Sequence, residues 1–318
     1  MKTRYVVLLL AIALPVAGQS YPSKPIRFVV AFPPGGGTDI IARTIGTRLG
    51  ERFGQQVIID NRPGAGGNIG TDIVAKAPPD GYTILMGSVG PLAINASLMG
   101  KLAFDPLRDF APVTLCDAVP NMLVLNPAVA AGSVKELIAF AKARPGEINY
   151  ASSGLGTPAQ LAGALFNSMA GVKLVHIPYK GGVLALTEVM AGRVQLMFST
   201  MPPALPHVKA GKLKALAVTS VQRSPAMPEL PTVAEAALPG FEAITWHGVV
   251  APAGTPGTIV ARLNTEIVGI LRVPEVKERL AAQGAEAAST TPAQFAAYIR
   301  TEAVKWAKVV RESGARAE

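Results

Sequence analysis

The chain reads as an α/β protein of two lobes, each a mixed, mostly parallel sheet flanked by helices. Two observations predict this class. Short β-rich runs alternate with helical stretches in both halves of the sequence, the pattern of strands joined by crossover helices. A strand, a glycine loop and a helix start also follow one another once in each half, at Phe32-Pro33-Pro34-Gly35-Gly36-Gly37-Thr38-Asp39 and at Ser152 to Thr157. Length agrees with two lobes, because about 300 residues after a leader exceed what one core usually organises. A hydrophobic fraction of 49% is enough to fill such cores.

Residues 1–20 read as a secretory leader: Lys2 and Arg4, nine apolar residues from Val6 to Leu14, then small residues that fit cleavage after Gly18 or Ser20. The apolar run is far shorter than the roughly 20 residues that span a bilayer, and no later segment qualifies. Cys116 is the sole cysteine, which excludes an intramolecular disulfide and a lipid-attached leader. A periplasmic, soluble monomer is expected. Without Lys2 and Arg4 the formal charge falls from +9 to +7, still basic enough to favour an anionic solute. Scattered basic residues with no aromatic interleaving argue against nucleic acid.

Ile26, Phe28, Val29 and Val30 form the first strand, and Ile40, Ile41, Thr44, Ile45 and Leu49 carry the helix after the first glycine loop. Val57-Ile58-Ile59 is a strand. A second glycine-rich loop, Asn61 to Asn68, leads into a short helix over Ile69 to Lys76, and Thr83 to Met86 is a strand ending in Gly87-Ser88. A long β-like passage through Val113-Thr114-Leu115 and Met122 to Leu125 is placed to carry the chain from one lobe to the other. Ser133-Val134-Lys135-Glu136 is a capping box that opens a helix closed by Pro145-Gly146. A second α/β unit follows: strand Ile148 to Ala151, loop Ser152 to Thr157, helix Pro158 to Ala170, strand Leu174 to Ile177, helix Leu184 to Ala191, and strands Val194 to Phe198 and Leu213 to Thr219. Proline-punctuated text from Ser220 to Gly257 leaves regular structure only at Thr232 to Ala237 and around Trp246 to Val250. The last helix has Thr291 as N-cap, Pro292 in its first turn, a core-facing stripe of Phe295, Ile299, Ala303, Trp306 and Val310, and Gly314 as its stop. The lobes are expected at 21–121 with 220–318, and at 122–219.

The first glycine loop outlines an anion site. N–H groups at a helix start lack intrahelical partners and sit at the positive end of the dipole, and glycines let that backbone approach closely. Asp39 is expected to cap its helix. Gly154-Leu155-Gly156-Thr157-Pro158-Ala159 matches a dinucleotide fingerprint between strand and helix, yet Lys173 to Lys180 lacks the acidic residue that would hold a ribose. The loop still offers N–H groups and the hydroxyls of Ser152, Ser153 and Thr157 to a smaller anion. Tyr179 and Lys180 follow a strand at the same loop-rich edge. Ser88 and Ser153 both miss the glycine that a nucleophile elbow needs two positions earlier. His176, His207 and His247 are widely spaced and read as structural, with no metal-ligand spacing and no triad. No catalytic residue, metal or cofactor is expected.

The chain resembles the solute receptors of tripartite tricarboxylate transporters, the Bug-type periplasmic binding proteins, over essentially its whole length after the leader. The motifs that carry this are Tyr21-Pro22-Ser23-Lys24-Pro25-Ile26, the first glycine loop with Asp39, Asn61-Arg62-Pro63-Gly64-Ala65-Gly66-Gly67-Asn68, Asn149-Tyr150-Ala151-Ser152-Ser153-Gly154, Pro178-Tyr179-Lys180-Gly181-Gly182, Ala215 to Thr219 and Pro231-Thr232-Val233-Ala234-Glu235. The resemblance implies a two-lobed, type II-like periplasmic binding fold that closes on a small carboxylate-bearing solute and serves a membrane transporter or a sensor. It places the ligand at Phe32, Pro34, Gly35, Gly36, Gly37, Thr38 and Asp39 from one lobe and Ser152, Ser153, Gly154, Gly156 and Thr157 from the other. Ser88, Tyr179, Ser199 and Thr200 stand nearby to choose among acids. Ser199 stands where many relatives carry aspartate, which removes a partner for a ligand ammonium, and Gln160 stands where they often carry histidine. The alternative reading is an exported α/β hydrolase with no recognisable catalytic motif.

Overall fold

The structure is a computed structural model, and it describes residues 21–282 and 284–315. The expected leader lies outside the described residues. In chain order the elements are β1 (Ile26–Val30), α1 (Gly37–Phe53), β2 (Val57–Asn61), α2 (Asn68–Ala75), β3 (Thr83–Ser88), α3 (Asn95–Leu98), β4 (Phe110–Leu125), α4 (Val134–Ala143), β5 (Asn149–Ser152), α5 (Pro158–Ala170), β6 (Val175–Pro178) and α6 (Gly182–Met190). They continue with β7 (Leu196–Thr200), α7 (Met201–Lys209), β8 (Lys214–Val218), α8 (Val233–Ala236), β9 (Ile244–Pro252), α9 (Gly257–Leu271), α10 (Pro274–Ala281), β10 (Glu286–Ala287) and α11 (Pro292–Ser313).

Each half has a parallel centre, β2-β1-β3 in one and β6-β5-β7 in the other, and the antiparallel pairs all involve β4 or β9. The 16-residue β4 joins the halves. Phe110 to Pro120 pairs with β9, while Asn121 to Leu125 pairs with β7 and its last residues also with β8. The long β passage of the sequence is thus one strand shared by two sheets. Its register against β9 shifts between Leu115 and Asp117, so that Asp117 comes opposite His247, and Ser88 of β3 lies opposite His247 on the other side. Residues directly opposed across strands share a face, and a shift of this kind re-aims a side chain.

Alternation along β1 explains why the sheet is buried on both faces. Ile26, Phe28 and Val30 enter one apolar cluster with Ile41, Met86, Met122 and Met197, while Val29 enters the other with Leu85, Phe198, Trp246 and Trp306. The stripe on α11 is core as expected: Phe295, Ile299, Trp306 and Val310 are buried. Buried Glu302 accepts from the indole N–H groups of Trp246 and Trp306, both at 3.0 Å. Thr291 forms its reciprocal cap with Gln294. The Ser133 box is only half of one, because Ser133 Oγ accepts from Glu136 N but Glu136 takes the N–H of Gly132.

Besides the one-turn α3, three helices have no counterpart in the sequence reading. Pro202 and Pro203 sit in the first turn of α7, where a missing N–H costs nothing, and Pro206 lies inside it. The other two, α9 and α10, cover text read only as an interval before the last helix.

Candidate functional site

Helices α1, α5, α6 and α7 all start at one cavity of about 340 Å³ between the halves. None of these starts is capped by its own side chain. Prolines remove N–H groups from the first turns of α5 and α7, so the free donors concentrate at Gly37 and Thr38 of α1 and at Gly182 and Val183 of α6. Among the described residues the lining contains no Asp or Glu, and Lys180 at the exposed rim is its Lys or Arg. Aligned dipole ends, one ammonium and no carboxylate make a positive hollow. Apolar wall is supplied by Phe32, Pro34, Val183, Leu184, Met197, Phe198 and Pro203, beside uncharged polar groups.

The halves touch beside the cavity. A Cβ on Gly181, where φ is +127°, would lie 2.8 Å from Pro33, and one on Gly37 would lie 3.0 Å from Thr200 Oγ1. Gly36 itself has φ of −77° with ordinary room around it, and only Gly35 of the three loop glycines has positive φ. Conformational freedom is therefore needed at Gly35, and close approach at Gly37.

Of the expected ligand residues, Phe32, Pro34, Gly36, Gly37, Thr38, Ser88, Ser153, Ser199 and Thr200 line the cavity. Gly35, Asp39, Ser152, Gly154, Gly156, Thr157 and Tyr179 are outside its lining, and their bonds say why. Asp39 ties down the first loop: it accepts from Gly35 N and Arg43 Nε, both at 2.9 Å, and from Asn61 Nδ2 at 2.9 Å. Gly36, not Asp39, occupies the cap position. Burial pushes the Asp39 carboxyl up, but the bonds from Arg43, Gly35 and Asn61 together hold it below the usual carboxylate range.

The loop from Ser152 to Thr157 spends its polar groups on itself. Ser152 Oγ lies 2.6 Å from His176 Nε2 and accepts from Gly154 N at 3.1 Å. Thr157 Oγ1 donates to Gly154 O at 2.7 Å, and Gly156 N donates to Gln160 Oε1 at 2.7 Å. Gln160 thus fastens the loop to α5. Tyr179 donates its N–H to Ser152 O, joining β6 to the same loop. His176 lies over Tyr150 with ring centres 4.9 Å apart, and burial lowers its pKa to about 4.

Asn121, Thr245 and His247 line the cavity with no sequence signal to announce them. His247 is 1% exposed. Its Nδ1 lies 2.9 and 3.1 Å from the two oxygens of buried Asp117, and its Nε2 lies 3.1 Å from Thr38 Oγ1. Ser88 Oγ, buried on the same face, has no hydrogen-bond partner among the described residues.

A family model described as "Tripartite tricarboxylate transporter family receptor" matches residues 41–315. Protein BugT of Bordetella pertussis is similar at 44% identity over 306 residues, which cover 96% of this chain and 94% of that protein. A solved R. palustris protein with adipate superposes with a TM-score of 0.91 at 39% identity, covering 92% of this chain and 98% of its own. MatC from Rhodopseudomonas palustris, with bound malate, gives 0.87 at 33% identity, covering 91% and 100%. The mixed α/β fold is shared with both solved structures.

Proposed function

The chain belongs to the tripartite tricarboxylate transporter receptor family, and from that premise we propose that it captures a small carboxylate-bearing organic anion in the cavity between its halves. The observation that carries this reading is the meeting of uncapped α1 and α6 starts with the orphaned Ser88 hydroxyl in a cavity lined by no acidic residue. Preorganised N–H donors stabilise a carboxylate without a reorganisation cost. The adipate and malate held by the related proteins are of this chemical class.

No bond is made or broken in this function. Ligand contacts from both halves favour the closed arrangement, and a tripartite transporter or a sensor reads the closed state. The lobes are 21–121 with 220–318, and 122–219; the change of β4 partners between Pro120 and Asn121 supports the first boundary. Export through a cleaved leader puts the mature monomer in the periplasm. Direct contacts come from the lining residues named above, while Asp39, Ser152, Gly154, Gly156, Thr157 and Tyr179 hold the loops that present them.

Calorimetry of protein stripped of endogenous ligand, against a panel of mono- and dicarboxylates, tests the reading. Saturable binding of at least one acid is expected, and failure of every acid with folded protein overturns it. The row of Asp117, His247 and Thr38 is the feature that favours the hydrolase alternative. Sustained hydrolysis of an ester panel, lost in Thr38→Val, would promote that alternative.

A further inference from the structure

The positive features of the cavity gather at one place. The residues that lead into α1 and α6 are neighbours across the halves: a Cβ on Gly35 would lie 3.7 Å from Val183 Cγ2, just as one on Gly181 meets Pro33. The free N–H groups of Gly37, Thr38, Gly182 and Val183 therefore converge, and Lys180 is the residue before the α6 cap. The other two helix starts are poorer in donors, since α5 gives up one N–H at Pro158 and α7 two at Pro202 and Pro203. Three of the lining hydroxyls spend their protons on the protein. Thr187 Oγ1 donates to Val183 O at 3.0 Å, Ser199 Oγ to Thr200 O at 3.1 Å, and Thr245 Oγ1 to Asn121 Oδ1 at 3.0 Å.

Apolar surface stands open beside this cluster. Val183 and Leu184, in the first turn of α6, are 45% and 47% exposed and line the cavity together with Phe32, Pro34, Phe198 and Pro203. Large apolar side chains left open to a hollow gain most from an occupant that is itself apolar. Resting on the carboxylate reading above, we propose that the ligand is a monocarboxylate, one charged group on an apolar aliphatic or aromatic body, and that a second carboxylate is selected against.

The alternatives each meet a specific penalty. One carboxylate takes up the converging donors and the single ammonium. A second would pass from water into a lining that offers no further Lys or Arg among the described residues, and a buried charge without a partner is disfavoured. A short polar acid escapes that penalty but leaves the apolar wall wet. An ammonium on the ligand would meet no Asp or Glu among the described lining residues. Affinity should thus grow with apolar size at constant charge, by about fourfold for each methylene buried.

The test is calorimetry near neutral pH, on protein stripped of endogenous ligand, with two series: butyrate, hexanoate and adipate; benzoate, 4-methylbenzoate and terephthalate. In at least one series affinity is expected to rise with apolar size, about tenfold from butyrate to hexanoate or about fourfold from benzoate to 4-methylbenzoate. In that series the larger monoacid is also expected to bind about tenfold or more tighter than the diacid of matching length. Leu184→Ser, at a half-exposed position that the fold does not depend on, is expected to shrink the gain from butyrate to hexanoate to about fourfold or less. If in both series the diacid binds as tightly as the monoacid or tighter, this proposal falls and the carboxylate reading stands. Affinity that fails to rise with apolar size in both series has the same consequence. If no acid of either series binds to folded wild-type protein, both fall. The wild-type panel decides the matter even where the variant fails to fold.

Discussion

The carbonyl oxygen of Leu155 sits over Gly66 so closely that a β-carbon on Gly66 would overlap it. The second glycine loop is thereby a seat for the loop after β5, which comes from the other half of the molecule. Gly66→Ala should hold the halves apart and lower ligand affinity by about tenfold or more, because the binding-competent closed form becomes a small fraction of the population. Gly66 also has φ of +63°, so backbone strain must be separated from the clash. Gly100→Ala supplies the control: its φ is +69° and nothing lies within 4 Å of the added carbon. Both variants should lose about 1 kcal/mol of stability, but calorimetry should find weakened binding only in the first.

Ser88→Ala should act on binding without harming the fold. The hydroxyl has no partner in the protein, so its removal relieves an unpaired buried group and the melting temperature of ligand-free protein should stay level or rise slightly. Affinity should fall about five- to tenfold, on the order of 1 kcal/mol for one neutral hydrogen bond. Equal affinity in the variant would remove Ser88 from the ligand's contacts.

Asp39 links the first glycine loop to α1 and to Asn61, and its side chain is 3% exposed. Burial opposes ionisation, yet the Arg43, Gly35 and Asn61 bonds win and its folded pKa lies below the unfolded one. The sign follows from linkage. Its contribution is fully present above the unfolded carboxyl value and is lost as pH falls through the lower, folded value. Asp39→Asn should therefore melt earlier than wild type at neutral pH and converge on it in strong acid, as thermal denaturation across pH will report.

How much of this was legible depends on the distance over which each signal acts. Strand β1, the loop after it and α1 are local events, written in an apolar run, two prolines, three glycines and a helical period. The apolar spacing of Val260, Leu263, Ile267 and Ile270 carries the period of α9 just as well, but the prolines before it mask the start. The loop from Ser152 to Thr157 shows why local text misleads about roles. Hydroxyls and glycines in that order look ready for an anion, and the same groups also satisfy one another, which here leaves Ser153 as the side chain reaching the cavity. His247 and Asp117 are 130 residues apart in sequence. Only the register of β4 against β9, with its one-residue shift, brings them together, and no short pattern encodes that.

His176 gives a second pH signature in a different window. Its ring is packed on Tyr150 and its Nε2 is 2.6 Å from Ser152 Oγ, so the imidazole is held neutral and burial lowers its pKa to about 4 from an ordinary 6.5. Above about 6.5 neither the folded nor the unfolded chain carries this proton, and the full stability is present. As pH falls from there toward about 4 the unfolded chain takes up the proton first, so stability drops across that interval and the histidine's share of the slope ends below it. Asp39 titrates lower still, which keeps the two effects apart. His176→Gln can still bond Ser152 but cannot titrate, so its melting temperature should be flatter than wild type between about pH 6.5 and 4. Because Ser152 anchors the loop on which Ser153 is presented and folded His176 stays neutral down to about pH 4, any effect of its protonation on ligand affinity should set in only as pH falls through about 4 in wild type, and should be smaller in the variant. Parallel wild-type and variant profiles would show that His176 carries no proton-linked energy.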